Sequence, residues 1–131
     1  DVPKIDGVKE DHHNLSHHGQ DPEKIAQLRL VERAEISALN GLLTKLNGTQ
    51  EAGKSLMDST MVLFGSNLGN ANSHDWRNLP MLLAGGGLKH GRHIAGDPKN
   101  NTPMSNLFVT LLQNLGVQTD SFGTSTGTLA L

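Results

Sequence analysis

Cysteine and tyrosine are absent from this chain, and aromatic residues amount to only 3% of it, with a single tryptophan. Without cysteine there is no disulfide, no thiolate metal ligand and no cysteine nucleophile, although an oxidising compartment stays open. Large side chains that anchor an interior are scarce, so the composition points to a piece of something larger. No apolar run approaches the ~20 residues that cross a bilayer. The opening stretch DVPKIDGVKEDHHN also lacks the basic-then-apolar pattern of an export signal. The chain as written is expected to carry no membrane span, with any export signal removed or lying upstream. Eleven basic side chains against thirteen acidic ones leave a formal charge of −2. No basic stripe marks a footprint for nucleic acid or an anionic bilayer, and nucleic-acid binding is not expected.

What the chain does have is length, glycine and histidine. Its 131 residues suit a single domain or a fragment of a larger one, and need neither a metal nor a disulfide to fold. Fifteen residues are glycine and seven are histidine. Four of those histidines, His12, His13, His17 and His18, fall within seven positions of the segment HHNLSHHGQDPEK.

Directly after them, Asp21-Pro22-Glu23 is a helix start. Asp caps free amides, Pro suits the first helical position and Glu favours the positive end of the dipole. Ile25, Leu28, Val31, Leu39, Leu42 and Leu46 then recur at helical spacing up to Asn47-Gly48. This pattern predicts a helix over 22–46 with one buried face. TMVLFGS (60–66) and LPMLLAGGG (79–87) read as short strands buried on both faces, with Pro80 at a strand entry. An amphipathic helix followed by two such runs predicts an α/β fold with a mainly parallel sheet flanked by helices. Residues 85–103 read as loop or a small hairpin. Thr102-Pro103 opens a second helix over 104–115 that Gly116 ends, and the Gly/Ser/Thr-rich tail is expected to lie extended on the surface. In an open α/β sheet, function gathers where loops leave the carboxyl ends of strands. The loop GSNLGNANSHDWRN (65–78), with His74 and Asp75, holds that position.

In motif order, HHNLSHHGQDPEK, MVLFGSNLGNANSHDWRNLPMLLAGGG, NTPMSNLFVTLLQNLGV and SFGTSTGTLAL resemble the carboxyl-terminal part of the bacterial family known as domain of unknown function 1552. The resemblance covers nearly the whole chain. It implies an exported protein, periplasmic or extracellular, of which this is the carboxyl-terminal portion. More distantly, the layout is similar to the alkaline phosphatase and sulfatase superfamily, which implies an alkaline phosphatase-like core and a divalent metal site. On that resemblance His13 stands where a ligating Asp would be, His18 on the first ligating His, and His74 on a later His ahead of the Pro80 strand. The superfamily's strand-end Asp-His pair is here Asn67-Leu68. Asn offers one weak carbonyl ligand and Leu none. The superfamily's Ser or Thr nucleophile lies upstream of any residue in this chain.

Each site residue therefore admits two readings. His13, His18 and His74 could hold zinc or manganese, with His12 and His17 behind them orienting the ligands; the alternative is a polar loop of mutually hydrogen-bonded histidines capping the helix. Asp75 could brace a ligand or cap a turn. Arg77 could pair a phosphate or sulfate, or form a surface salt bridge beside an anchoring Trp76. Gly85-Gly86-Gly87 precedes no phosphate-loop helix and reads as a tight connection, and His90 and His93 read as solvated loop residues. Ser66 has no adjacent base and is not a nucleophile motif.

Three functional expectations follow, two of them principal. One is a metal-dependent hydrolase of phosphate or sulfate esters, completed by the remainder of its own longer chain. The other is a non-catalytic binding or scaffold relative, acting beside other exported proteins. A structural metal or haem group within a larger assembly is the third.

Overall fold

A computed structural model describes all residues, 1–131. The helix expected at 22–46 forms α2, Pro22–Gly48, after a short α1, His12–Ser16. Asp21 begins α2, its Oδ1 accepting from the amides of Glu23 (2.8 Å) and Lys24 (3.3 Å), with Pro22 in the first turn. Asp11 does the same for α1, accepting from the Asn14 amide at 3.1 Å. α1 packs against α2; Leu15, on α1, is fully buried, and Val31 is the buried residue of α2.

Beyond α2 come the two-residue strands β1 (Gln50–Glu51) and β2 (Lys54–Ser55), the short helix α3 (Leu56–Ser59), then β3 (Met61–Gly65) and β4 (Met81–Gly85). The last helix is α4, Met104–Asn114, followed by Gly116 in the left-handed region at φ +82°. Both apolar runs thus become strands at the expected places.

Their pairing corrects the expected fold class. β3 and β4 pair antiparallel, from Met61 opposite Gly85 to Gly65 opposite Met81, and β1 with β2 is antiparallel as well. There is no mainly parallel sheet flanked by helices, and hence no alkaline phosphatase-like sheet in this chain; the architecture is α+β. The physical reason lies in the connection. A parallel pair needs a crossover, usually a helix, to carry the chain back to the other end. Residues 66–80 contain only a three-residue 3-10 turn, Ala71–Ser73, and the Ser66 amide already donates to the Pro80 carbonyl at 3.2 Å. The chain turns back where β3 ends. Continuous apolar runs suggested strands covered on both faces, yet β3 is half-buried from Met61 to Phe64.

Gly85 shows how tightly the hairpin is closed against α3. It is buried, its φ is +80°, and a Cβ there would collide with the Thr60 and Met57 carbonyl oxygens. Only glycine fits.

The interior is small. Leu15, Val31, Gly85, Asn106, Leu107 and Val109 are the only buried residues. Accessible surface is 9404 Å², against about 6,700 Å² for a compact monomer of this mass. Along the expected buried face of α2 only Val31 is buried; Ile25, Leu28, Leu39 and Leu46 are half-buried, while Leu42, like Ile36, is 48% exposed.

The tail folds back on α4. Asn106, 4% exposed, accepts from the Thr126 amide at 2.8 Å and donates Nδ2 to Thr126 Oγ1 at 3.2 Å. One turn on, the Thr110 hydroxyl donates to the Leu129 carbonyl at 2.8 Å and accepts from its amide at 2.9 Å. Asn106→Ala leaves the Thr126 amide unpaired beside α4 and is expected to weaken tail docking by about 1–3 kcal/mol. Hydrogen exchange at Thr126 and Leu129 checks this: both amides should lose protection while those of α2 keep theirs.

Candidate functional site

The site forms where the α1–α2 turn meets the 66–80 connection. On α1, His13 and the C-cap residue His17 are four positions apart and so share one face. Their rings meet edge to face with centroids 4.7 Å apart. The His17 amide donates to the His13 carbonyl at 3.2 Å, and the Ser16 hydroxyl donates to the same oxygen at 2.8 Å, holding the end of the helix.

The opposing loop is cross-linked by its own hydrogen bonds. The Gly69 amide donates to the Asp75 carbonyl at 2.7 Å and the Asp75 amide donates to the Asn70 carbonyl at 2.9 Å, while Asn70 Oδ1 accepts from the Ser73 amide at 3.3 Å. A Cβ on Gly69 would run into the Arg77 carbonyl, so glycine permits this narrow neck. At the loop's corner, His74 adopts the left-handed conformation, φ 54° and ψ 33°, a geometry that costs a non-glycine residue on the order of 1–2 kcal/mol. That corner turns the imidazole toward α1.

Two contacts then join loop and turn. His74 Nε2 lies 3.1 Å from His17 Nε2, with ring centroids 4.7 Å apart, although the residues are 57 positions apart in sequence. Alongside, the Gly19 amide donates to Asn72 Oδ1 at 2.8 Å. His13, His17 and His74 consequently form one row of rings. His17 is half-buried at its centre, with His13 and His74 exposed on either side.

The other expected residues fall elsewhere. His18 Nδ1 accepts from the Gln20 amide at 3.0 Å and the His18 carbonyl accepts from the Asp21 amide at 2.9 Å, so His18 serves the turn and joins neither ring contact. His12 is exposed on α1 outside the row. Asn67 is exposed, and Leu68 is half-buried with its amide donating to Ser66 Oγ at 3.1 Å. The row is thus centred on His17, which the resemblance had put behind His18. The helical four-residue spacing of His13 and His17, downstream of the capping Asp11, was the available signal. Asn72 was missed altogether, because nothing local distinguishes it from the other asparagines of its loop.

Asp75 and Arg77 are joined to each other. Arg77 donates Nε to Asp75 Oδ1 at 2.9 Å, Nη2 to Oδ2 at 3.0 Å, and its amide to Oδ1 at 3.0 Å. The Arg77 side-chain hydrogen bonds, followed by its amide, hold the Asp75 carboxyl below the usual carboxylate range, and Asp75 in turn raises Arg77. Arg77 is therefore committed to an internal partner. Trp76, between them, is 74% exposed. With Ser73 these three residues, which flank His74 in sequence, line an open depression of about 480 Å³.

Two imidazole nitrogens at 3.1 Å share a proton or, with a small adjustment, a cation. On a tetrahedral zinc with Zn–N of about 2.0–2.1 Å, ligand nitrogens stand roughly 3.4 Å apart. The His17–His74 pair fits two positions of such a shell. No group of three or more His, Asp or Glu side chains arranged to hold an ion is present, so the remaining positions would fall to water or to groups outside these residues.

Because the Asp75 pKa is depressed, its contribution to the loop is present above the ordinary carboxylate value, about 3.9, and is lost as pH falls through the lower folded value. Arg77→Ala is expected to raise the Asp75 pKa toward that ordinary range, with the residue-77 amide keeping part of the depression, read by an NMR pH titration of the carboxyl carbon. Arg77→Lys, which lacks the two-pronged fork, should restore only part of the depression. An Asp75 titration unmoved in Arg77→Ala would refute the assignment.

Comparison of the chain with protein-family models, with curated proteins and with solved structures finds no match.

Proposed function

We propose that this chain supplies a histidine pair, His17 and His74, to a divalent-metal site in an exported, metal-dependent hydrolase of phosphate or sulfate esters. The observation that carries this reading is the 3.1 Å approach of the two Nε2 atoms from segments 57 residues apart. A zinc- or manganese-type ion held there would polarise an ester oxygen and lower the pKa of a bound water or hydroxyl.

The chain's own residues do the positioning. The left-handed corner aims His74, the Gly19–Asn72 hydrogen bond fixes the gap between loop and turn, and the His13 ring packs edge-on against His17. The nucleophile and the other ligands belong to the remainder of its own longer chain. The exposed apolar residues and the surface well above that of a compact monomer support such a larger body.

Asn67, Leu68 and Arg77 favour a second reading. The first two leave a strand-end position without a strong ligand, and Arg77 is spent on Asp75 instead of a substrate anion. A binding or scaffold protein, working beside other exported proteins, would need neither.

Elemental analysis of the full-length protein, purified without chelator, decides between metal and none. Close to one equivalent is expected in the native protein and in His18→Ala, and none in His17→Ala or His74→Ala. Folded, metal-free native protein would sink the proposal. With metal present, turnover of generic phosphate and sulfate monoesters supports the hydrolase, and inert metal-loaded protein supports the scaffold.

A further inference from the structure

The segment 89–101, KHGRHIAGDPKNN, has no part in the histidine row, and its charge sets it apart from the rest of the molecule. Lys89, Arg92 and Lys99 stand against the single acid Asp97, a balance of +2, whereas the other 118 residues hold eight cations against twelve acids, a balance of −4. Every residue of the segment is exposed, and none lies in a helix or strand. None of its three cations is in an ion pair; the two salt bridges of the molecule, Lys24–Glu10 and Arg77–Asp75, lie elsewhere.

The segment is pinned at both ends. Near its start, His90 Nε2 accepts from the Gly85 amide at 3.0 Å. At its end, Asn101 Nδ2 donates to Asn78 Oδ1 at 3.1 Å. Gly85 closes the far end of β4, opposite Met61, and Asn78 follows Arg77 directly at the near end. The basic segment therefore leads from one end of β4 to the other, a span of about 13 Å, and arrives beside the loop that carries His74.

We propose that residues 89–101 form a docking strip for a sulfated polysaccharide, with Lys89, Arg92 and Lys99 meeting successive sulfates. Exposed cations distributed along a segment outside every helix and strand, at positions 89, 92 and 99, suit a ladder of charges better than a single buried anion. The segment has no Phe, Tyr or Trp on which a base could stack, which disfavours a single-stranded nucleic acid. It presents no helix or ribbon to a major groove either. An acidic protein partner would call for aromatic anchors that the strip lacks. The inference goes beyond the ester-hydrolase reading and does not depend on it.

Heparin binding by the full-length protein tests the strip. The triple variant Lys89→Ala/Arg92→Ala/Lys99→Ala is expected to bind heparin about a hundredfold more weakly, each surface cation being worth roughly a factor of five. A matched triple at exposed lysines elsewhere, Lys4→Ala/Lys9→Ala/Lys45→Ala, should stay within a few-fold of native, and Lys89→Arg/Arg92→Lys/Lys99→Arg should retain binding. The proposal is overturned if native protein does not bind heparin, if the matched triple loses as much as the strip variant, or if oligothymidylate or polyglutamate of equal charge binds as tightly. Because the strip lies outside all helices and strands, an unchanged circular dichroism spectrum is expected of each variant.

Discussion

Two imidazole nitrogens cannot rest 3.1 Å apart with both lone pairs facing, so the His17–His74 contact forces a shared proton or a shared cation and thereby fixes how two distant segments meet. Other features of the site answer to that constraint. The left-handed backbone at His74 costs on the order of 1–2 kcal/mol, about what one neutral hydrogen bond returns, roughly 0.5–1.5 kcal/mol net. The histidine pair alone would not hold the corner. Its support comes from the Asn70–Asp75 bridge behind it and the Gly19–Asn72 bond beside it, both independent of any imidazole. A loop braced from behind keeps the two nitrogens within a few tenths of an ångström of the spacing a tetrahedral ion would need.

That bracing contrasts with the rest of the body. Only six residues are buried, among them Leu15 on α1, Val31 on α2, and Leu107 and Val109 on α4. Helix α2 keeps Ile36 and Leu42 half in water, and Trp76 stands outside the loop that bears it. Burial is worth roughly 25 cal/mol for each Å² of apolar surface removed from water. A surface about 2,700 Å² above that of a compact monomer therefore represents a large unrealised stabilisation. The most economical way to recover it is a further layer of protein over α2 and the β3–β4 pair.

Local chemistry in the sequence located the elements well. Asp21-Pro22-Glu23 marked the start of α2 correctly, Asn47-Gly48 its end, and the two apolar runs became β3 and β4. The pairing of those strands was not legible, because an apolar run of five residues reads alike in a parallel and an antiparallel sheet; what decides is the path of residues 66–80, set by the Ser66–Pro80 and Gly69–Asp75 hydrogen bonds. The site divided in the same way. His13 and His74 were singled out and do lie in the ring row, whereas His18 was preferred to His17 on a five-residue spacing. A short helix from His12 to Ser16 makes four residues, not five, the spacing that stacks side chains. A surface salt bridge was one of two open readings for Arg77, with no partner legible in the sequence; the geometry supplies Asp75 as that partner, held in a bidentate pair.

Committing Arg77 to Asp75 has an electrostatic consequence for the whole face. The pair is internally neutral, so the loop bearing His74 contributes no net charge of its own, and the depression lined by Trp76 is walled by a cancelled ion pair. Cationic character on that side comes instead from residues 89–101, joined to the loop through Asn101 and Asn78. The rest of the chain is acidic overall, and at physiological salt its field fades over about 8 Å. Within that range of the strip, three unpaired cations dominate what an approaching anion experiences. Under the two proposals, attraction and ligation would fall to different segments: the strip to long-range attraction, and the histidine row to short-range contact. A change in one can alter encounter without disturbing the geometry of the other.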